Sequence, residues 1–178
     1  AELFAARGYH DASMAQLAQA CGVSKATLYH YYRDKQHILF DIADRYMERL
    51  LEVVGQLRAE SLAPEPMLKA LVGRFMEIYR HAQAQHTVLV QDVKFLEVAQ
   101  RARIHEKERE VVRAFAATIV ALQPRLEGEA LHTPLAMILF GMINWTFTWL
   151  RPDGRLTYEN MAEVVSEVFL RGVMPVAR

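Results

Sequence analysis

SMAQLAQACGVSKATLYHYYRDK, residues 13–35, spells two short helices and the turn that joins them. Ser13 is a good N-cap, and Gln16 three residues later completes a capping box. Ala15, Leu17, Ala18 and Cys21 give the first helix a small apolar face, on which Cys21 is expected to be a packed thiol. Gly22 stands where a helix ends in a left-handed residue, a conformation glycine adopts without strain. Val23 reads as an apolar plug in the turn, and Ser24 caps a second helix from Lys25 to about Tyr32. Two short helices around a Gly-containing turn form the unit that presents its second helix to the DNA major groove. By position, Lys25 meets a guanine edge or a phosphate, Ala26 a thymine methyl, and Thr27 either. Leu28 and Tyr32 read as core.

Outward from this motif the chain reads as helical throughout. Asp34 caps a long helix whose apolar residues Leu39, Ile42, Tyr46, Leu50, Val53 and Leu57 recur at helical spacing. SLAPEP, residues 61–66, breaks it. Leu68, Leu71, Val72, Phe75, Met76 and Tyr79 then mark a strongly amphipathic helix. Residues 87–99 predict one or two shorter helices carrying Phe95, and residues 104–123 another that Pro124 ends. Residues 135–150 are apolar almost all the way round, so a helix there needs cover on both sides. Arg151-Pro152-Asp153-Gly154 reads as a turn, and Met161, Val164, Val165, Val168 and Phe169 as a last amphipathic helix. The count is about nine helices, with no strand-like alternation and no internal repeat.

Composition agrees with an all-α protein. Six prolines and eight glycines in 178 residues leave helices uninterrupted, and a 52% hydrophobic, 24% charged chain folds. The single cysteine excludes an internal disulfide and suits a reducing cytoplasm. The net charge is zero, and residues 1–35 carry only one positive charge in excess. DNA binding is therefore inferred from the motif and not from a basic footprint. The longest apolar run falls short of the ~20 residues that span a bilayer.

GYHDASMAQLAQACGVSKATLYHYYRDKQHIL, residues 8–39, together with AELFAARGY before it, resembles the N-terminal domain of TetR-family transcriptional regulators. The resemblance implies an all-α fold: a three-helix helix-turn-helix head over residues 1–46 and a helical effector-binding and dimerisation body over residues 47–178. It implies a basic arm preceding Ala1. It adds Tyr29 and Tyr31 as contacts to backbone or bases, and His30 at a commonly contacted position. Lys35 matches a lysine at the head of the next helix that holds a phosphate with the helix N-terminus. Ser13 takes the equivalent place on the first helix. With Ser24, these complete a DNA-binding set of Ser13, Ser24, Lys25, Ala26, Thr27, Tyr29, His30, Tyr31 and Lys35.

The resemblance also implies a homodimer through the last two helices, two heads meeting successive grooves of a palindromic operator, and release by a small molecule. A monomer with residues 135–150 as its central helix is the alternative. Met137, Phe140, Asn144, Thr148 and Arg151 share a stripe whose polar atoms need partners. The stripe lines a cavity or meets another protein group; Met76, Tyr79, Gln91 and Phe95 are the residues expected to face it as a ligand site. GMINWTFTWLRPDGRLT, residues 141–157, resembles the C-terminal part of TetR-type regulators of fatty-acid, aromatic-acid and sterol-ring catabolism, which implies an acyl-CoA thioester or related hydrophobic acid as effector.

Other readings find less support. Arg101, Arg103, Lys107, Arg109 and Arg113 alternate with Glu106, Glu108 and Glu110, the pattern of a solvated, salt-bridged helix face. Glu77 and His81 supply at most two metal ligands. No Gly-rich phosphate loop, nucleophile elbow or HExxH sequence occurs, so neither catalysis nor a cofactor is expected. A DNA-binding regulator controlled by a protein partner is the alternative to a ligand-responsive one.

Overall fold

A computed structural model describes residues 1–151 and 153–173. Among these residues there are ten α-helices and no strand: α1 Glu2–Asp11, α2 Met14–Ala20, α3 Lys25–Tyr31, α4 Lys35–Ala59, α5 Pro64–His81, α6 Gln83–Asp92, α7 Val98–Leu122, α8 Arg125–Gly128, α9 His132–Asn144 and α10 Tyr158–Val173. Two 3-10 turns, Val93–Phe95 and Trp145–Thr148, follow α6 and α9. The helices form two compact units. The first comprises Ala1–Glu48 and Ala82–Glu106, the second Arg49–His81 and Lys107–Arg178. The expected turn at 151–154 is closed by the Gly154 N–H on the Arg151 carbonyl at 3.1 Å; its Pro152 lies outside the described residues.

Local chemistry sets the motif's boundaries. Ser13 Oγ accepts the Gln16 N–H at 3.3 Å, and Gln16 Oε1 accepts the Ser13 N–H at 2.9 Å, a closed capping box. At the other end of α2, Gly22 has φ 66°. Its N–H donates to Gln19 O, and the Val23 N–H donates to Ala18 O, so a paired helix stop is formed. Backbone bonding closes this turn, not a buried plug: Val23 is 39% exposed. Cys21 is likewise exposed, because it caps the helix end on the solvent side; only Leu17 and Ala18 of the expected apolar face are buried.

The first unit's core gathers Phe4, Leu17, Leu28, Leu39, Tyr46 and Met47. Arg103, read from the sequence as part of a solvated basic face, donates to the buried Asp44 carboxylate at 2.8 Å. The second unit is organised by an aromatic cluster. Phe115 lies 5.0 Å from Phe75 and 4.6 Å from Phe140, centroid to centroid. Phe75 and Phe115 are completely buried. The α4–α5 corner carries Ser61 at φ 51°, and Pro64 opens α5 at the one position where its missing N–H costs nothing.

The apolar run 135–150 is not a single helix. The α-helix stops at Asn144, where threonine hydroxyls compete for backbone carbonyls at and just beyond its end. Thr146 Oγ1 donates to Ile143 O at 2.6 Å and Thr148 Oγ1 to Trp145 O at 2.8 Å, which tightens the chain into a 3-10 turn.

Phe115 touches both other rings of its cluster. Phe115→Ala is expected to cost about 3–5 kcal/mol, the range for emptying an aromatic site in a core, read as a loss of unfolding free energy in denaturant titration.

Candidate DNA-binding site

α3 is seven residues long and is held to its unit by one buried side chain, Leu28. Lys25, Ala26, Thr27, Tyr29, His30 and Tyr31 are all exposed, Tyr29 by 47% and Tyr31 by 68%. The Lys25 ammonium lies 5.7 Å from the Tyr29 ring centroid, and His30 meets Tyr31 edge-on at 5.0 Å. The result is one cationic and aromatic surface.

The hydroxyls assigned to DNA also have local duties. Ser24 Oγ accepts the Thr27 N–H at 3.0 Å and pairs with Thr27 Oγ1 at 2.7 Å. One hydroxyl proton of that pair remains for an outside acceptor. Ser13 is committed to its capping box, with Oγ also donating to Gln16 Oε1 at 2.9 Å.

Lys35 is placed differently from the sequence expectation. Its Nζ donates to the carbonyls of Tyr9, His10 and Ala12 at 2.8, 3.0 and 3.1 Å, and lies 4.5 Å from the Tyr9 ring centroid. The ammonium caps the end of α1 instead of reaching outward, because orphan carbonyls at a helix C-terminus attract a cation. The head of α4 is capped by Asp34, whose Oδ1 accepts the His37 N–H at 2.8 Å. That bond, aided by Arg33, holds the Asp34 carboxyl below the usual carboxylate range. Tyr32 is half-buried, and its hydroxyl donates to Asp41 at 2.7 Å, which raises the phenol above its ordinary value.

The eight residues read as a ligand site do not line one cavity. Met76, Tyr79, Phe140 and Asn144 belong to the second unit. Tyr79 OH donates to Asn144 Oδ1 at 2.7 Å, which gives the half-buried amide a partner, and burial raises the Tyr79 phenol. Met76 is fully buried, with Thr146 Oγ1 at 3.9 Å from its sulfur. Met137 is 56% exposed because it lies two positions from Leu135 and Leu139, on the opposite side of α9. Thr148 is exposed because the change to 3-10 geometry carries it off the stripe. Gln91 is exposed and Phe95 belongs to the first unit, where it stacks on Tyr9 at 5.2 Å and meets His10 at 4.4 Å.

An apolar cleft of about 230 Å³ lies elsewhere in the second unit, between the end of α4, the start of α5 and α7. Val54, Leu71, Ala114 and Thr118 line it, with Arg58 as its one cation. The sequence held a signal for it that periodicity alone does not reveal: Arg58 follows Val54 by one turn, on an otherwise apolar edge. A larger groove of about 740 Å³ between α5 and α10 is charged, and its Lys69 pairs with Glu65 and Glu167. Among the described residues no cluster of three or more metal-ligating side chains occurs, and no helix is long and apolar enough to cross a membrane.

A helix-turn-helix with an uncovered second helix, joined to an all-α second unit, defines a DNA-binding regulator. Residues 1–42 match the family described as bacterial regulatory proteins, tetR family, and residues 61–173 the tetracyclin repressor-like C-terminal domain. The chain belongs to the tetR family of transcriptional regulators. It is 28% identical over 164 residues to the HTH-type transcriptional regulator BetI of Serratia proteamaculans (strain 568), covering 89% of this chain and 79% of that protein. A TetR-family transcriptional regulator from Bordetella parapertussis 12822 superposes with a TM-score of 0.91 and 31% identity, over 99% of this chain and 93% of the other. AibR in complex with isovaleryl coenzyme A and operator DNA superposes with a TM-score of 0.80 and 25% identity, over 94% and 91% of the two chains.

Tyr29 is the exposed aromatic at the centre of α3 and takes no part in the core. Tyr29→Ala is expected to weaken operator binding about tenfold, about 1.4 kcal/mol, with helicity and melting temperature unchanged by circular dichroism.

Proposed function

We propose that this regulator acts as a homodimeric repressor, bound to a palindromic operator and released from it by a small hydrophobic effector. The observation that carries the reading is the α3 surface, six exposed residues on a helix anchored by Leu28 alone. In the major groove, Lys25, Ala26, Thr27 and His30 address base edges, while Ser24, Tyr29 and Tyr31 grip the backbone. Ser13 presents the head of α2 to a phosphate, and Lys35 contributes by seating α1.

The dimer is supported by what the second unit leaves uncovered. α9 exposes Met137 and Ile138, the turn after it Trp145, and α10 exposes Val164 and Val168, the last by 58%. These helices already bury Leu139, Ile143, Val165 and Phe169 on their inner sides. A second copy related by a two-fold axis covers the outer sides and makes a four-helix bundle. Two-fold symmetry also matches two heads to two half-sites of one operator.

For the effector we favour an acyl-CoA thioester. Support comes from the likeness of residues 141–157 to regulators of acid catabolism and from the isovaleryl coenzyme A bound by AibR. The 230 Å³ cleft suits a short acyl group better than a drug-sized molecule, for which pockets run to about 300–1,000 Å³. Arg58 gives it a cation for the anionic part. An effector releases DNA only by binding one state of the protein more tightly than the other.

Two measurements test this reading. Val168→Glu places a charge on the uncovered face, and is expected to give a folded monomer by light scattering that has lost its preference for palindromic DNA. Fluorescence anisotropy on DNA from upstream of the gene, titrated with short acyl-CoA thioesters and their free acids, is expected to show release by the thioesters only. Arg58→Ala is expected to weaken that response about tenfold, the loss of one charge-assisted contact. Tight DNA binding that no thioester relieves overturns the effector assignment and points to control by a protein partner.

A further inference from the structure

The groove between α5 and α10 lies wholly within the second unit. Its volume of about 740 Å³ falls inside the range of small-molecule sites, about 300–1,000 Å³. Its rim is acidic. Glu159, Glu163 and Glu167 stand at i, i+4 and i+8 on α10 and share one face of that helix, and Glu77 joins them from α5. Part of this charge is already matched. Lys69 and Arg171 each meet Glu167 at 3.2 Å, and Lys69 holds the Glu167 carboxyl below its usual range. Glu77 meets His81 at 2.8 Å. Glu159 and Glu163 are exposed and enter no ion pair among the described residues.

Two features of the groove have no role in folding. Gly73 stands in the middle of α5, where glycine costs a helix stability relative to alanine. Neither usual reason for glycine applies: its φ is not positive, and a Cβ there would meet no heavy atom within 4 Å. What the missing side chain provides is open space in the groove. Ala162 and Ser166 on α10 are the other small residues that line it. Ser166 is only 2% exposed, and its hydroxyl has no hydrogen-bond partner among the described residues. A buried hydroxyl in that state is unfavourable until an occupant of the groove meets it.

The carboxylates do not converge on one point. Among the described residues no three metal-ligating side chains come together, and Glu159 and Glu163 are about 6 Å apart along the helix axis. A cation that matches them carries its charges at intervals along an apolar stem. We propose that the α5–α10 groove binds a linear aliphatic oligoamine. Its ammonium groups pair with Glu159 and Glu163, its methylene stem lies over Gly73 and Ala162, and one N–H donates to Ser166 Oγ. The site is distinct from the Arg58 cleft, where the charge has the opposite sign. It is also distinct from the proposed dimer face, since Val164 and Val168 each follow a glutamate of the stripe by one residue, about 100° further round α10.

Isothermal titration calorimetry of the full chain with spermidine tests this, with magnesium chloride at matched ionic strength as the control. Spermidine is expected to bind saturably, one per chain, and to raise the melting temperature as any ligand of the native state does. Magnesium is expected to do neither. Glu159→Gln and Glu163→Gln are each expected to weaken binding about tenfold, the scale of one charge-assisted hydrogen bond. Gly73→Leu fills the open space and is expected to abolish binding with helix content unchanged by circular dichroism. Absence of saturable binding, an equal response to magnesium, or wild-type affinity in Glu163→Gln or Gly73→Leu would each overturn the proposal. Should Gly73→Leu fail to fold, Glu163→Gln decides, because Glu163 is exposed. The titration contains neither DNA nor acyl-CoA, so its failure leaves the effector reading untouched.

Discussion

Three backbone carbonyls at the end of α1, those of Tyr9, His10 and Ala12, converge on the ammonium of Lys35. A helix end without such a partner leaves acceptors unsatisfied and a partial negative charge exposed. Because Lys35 is the first residue of α4, the same contact ties the first helix of the chain to the fourth. α2 and α3 are strung between those two, each only seven residues long. Helices that short are unstable alone. Their existence depends on α1 and α4 being held together while Leu17, Ala18 and Leu28 are buried in between.

This arrangement explains how α3 can expose so much of its surface. One buried leucine would not hold a free helix, yet a helix whose two ends are set by Ser24 and by the bond from the Tyr32 N–H to Leu28 O needs little more. The remaining residues are then available for DNA. The second unit works under a different constraint: its stability comes from the Phe75–Phe115–Phe140 cluster, where ring area dominates the burial. Its polar stripe is satisfied internally by Tyr79 and Asn144. That pairing removes the reason for expecting a cavity there, and moves attention to the cleft beside Arg58.

Much of the DNA-binding unit was legible in the sequence because its signals are local. A capping box spans four residues, the paired stop at Gly22 spans six, and the cap of α3 spans four, so each is complete within one short window. Helical periodicity likewise marked α5 and α10. Local windows misplaced what depends on partners far along the chain. Lys35 looked free for a phosphate until the carbonyls more than twenty residues earlier came beside it. Phe95 looked like a ligand-site residue until Tyr9 and His10 met it. Met137 stands two positions from the buried Leu135 and Leu139 and so faces outward, and Thr148 leaves the stripe because the α-helix does not continue past Asn144.

The sequence by itself determined the class of fold, the position of the reading helix and the family, since caps, glycine stops and 3.6-residue periodicity act over a few residues and survive any tertiary arrangement. Tertiary structure alone decided which polar groups are engaged inside the protein. It gave Lys35 to α1 and Tyr79 to Asn144, in pairs separated by 26 and 65 residues. A buried donor or acceptor must find a partner wherever the fold brings one within about 3 Å, and no pattern along the chain encodes that distance.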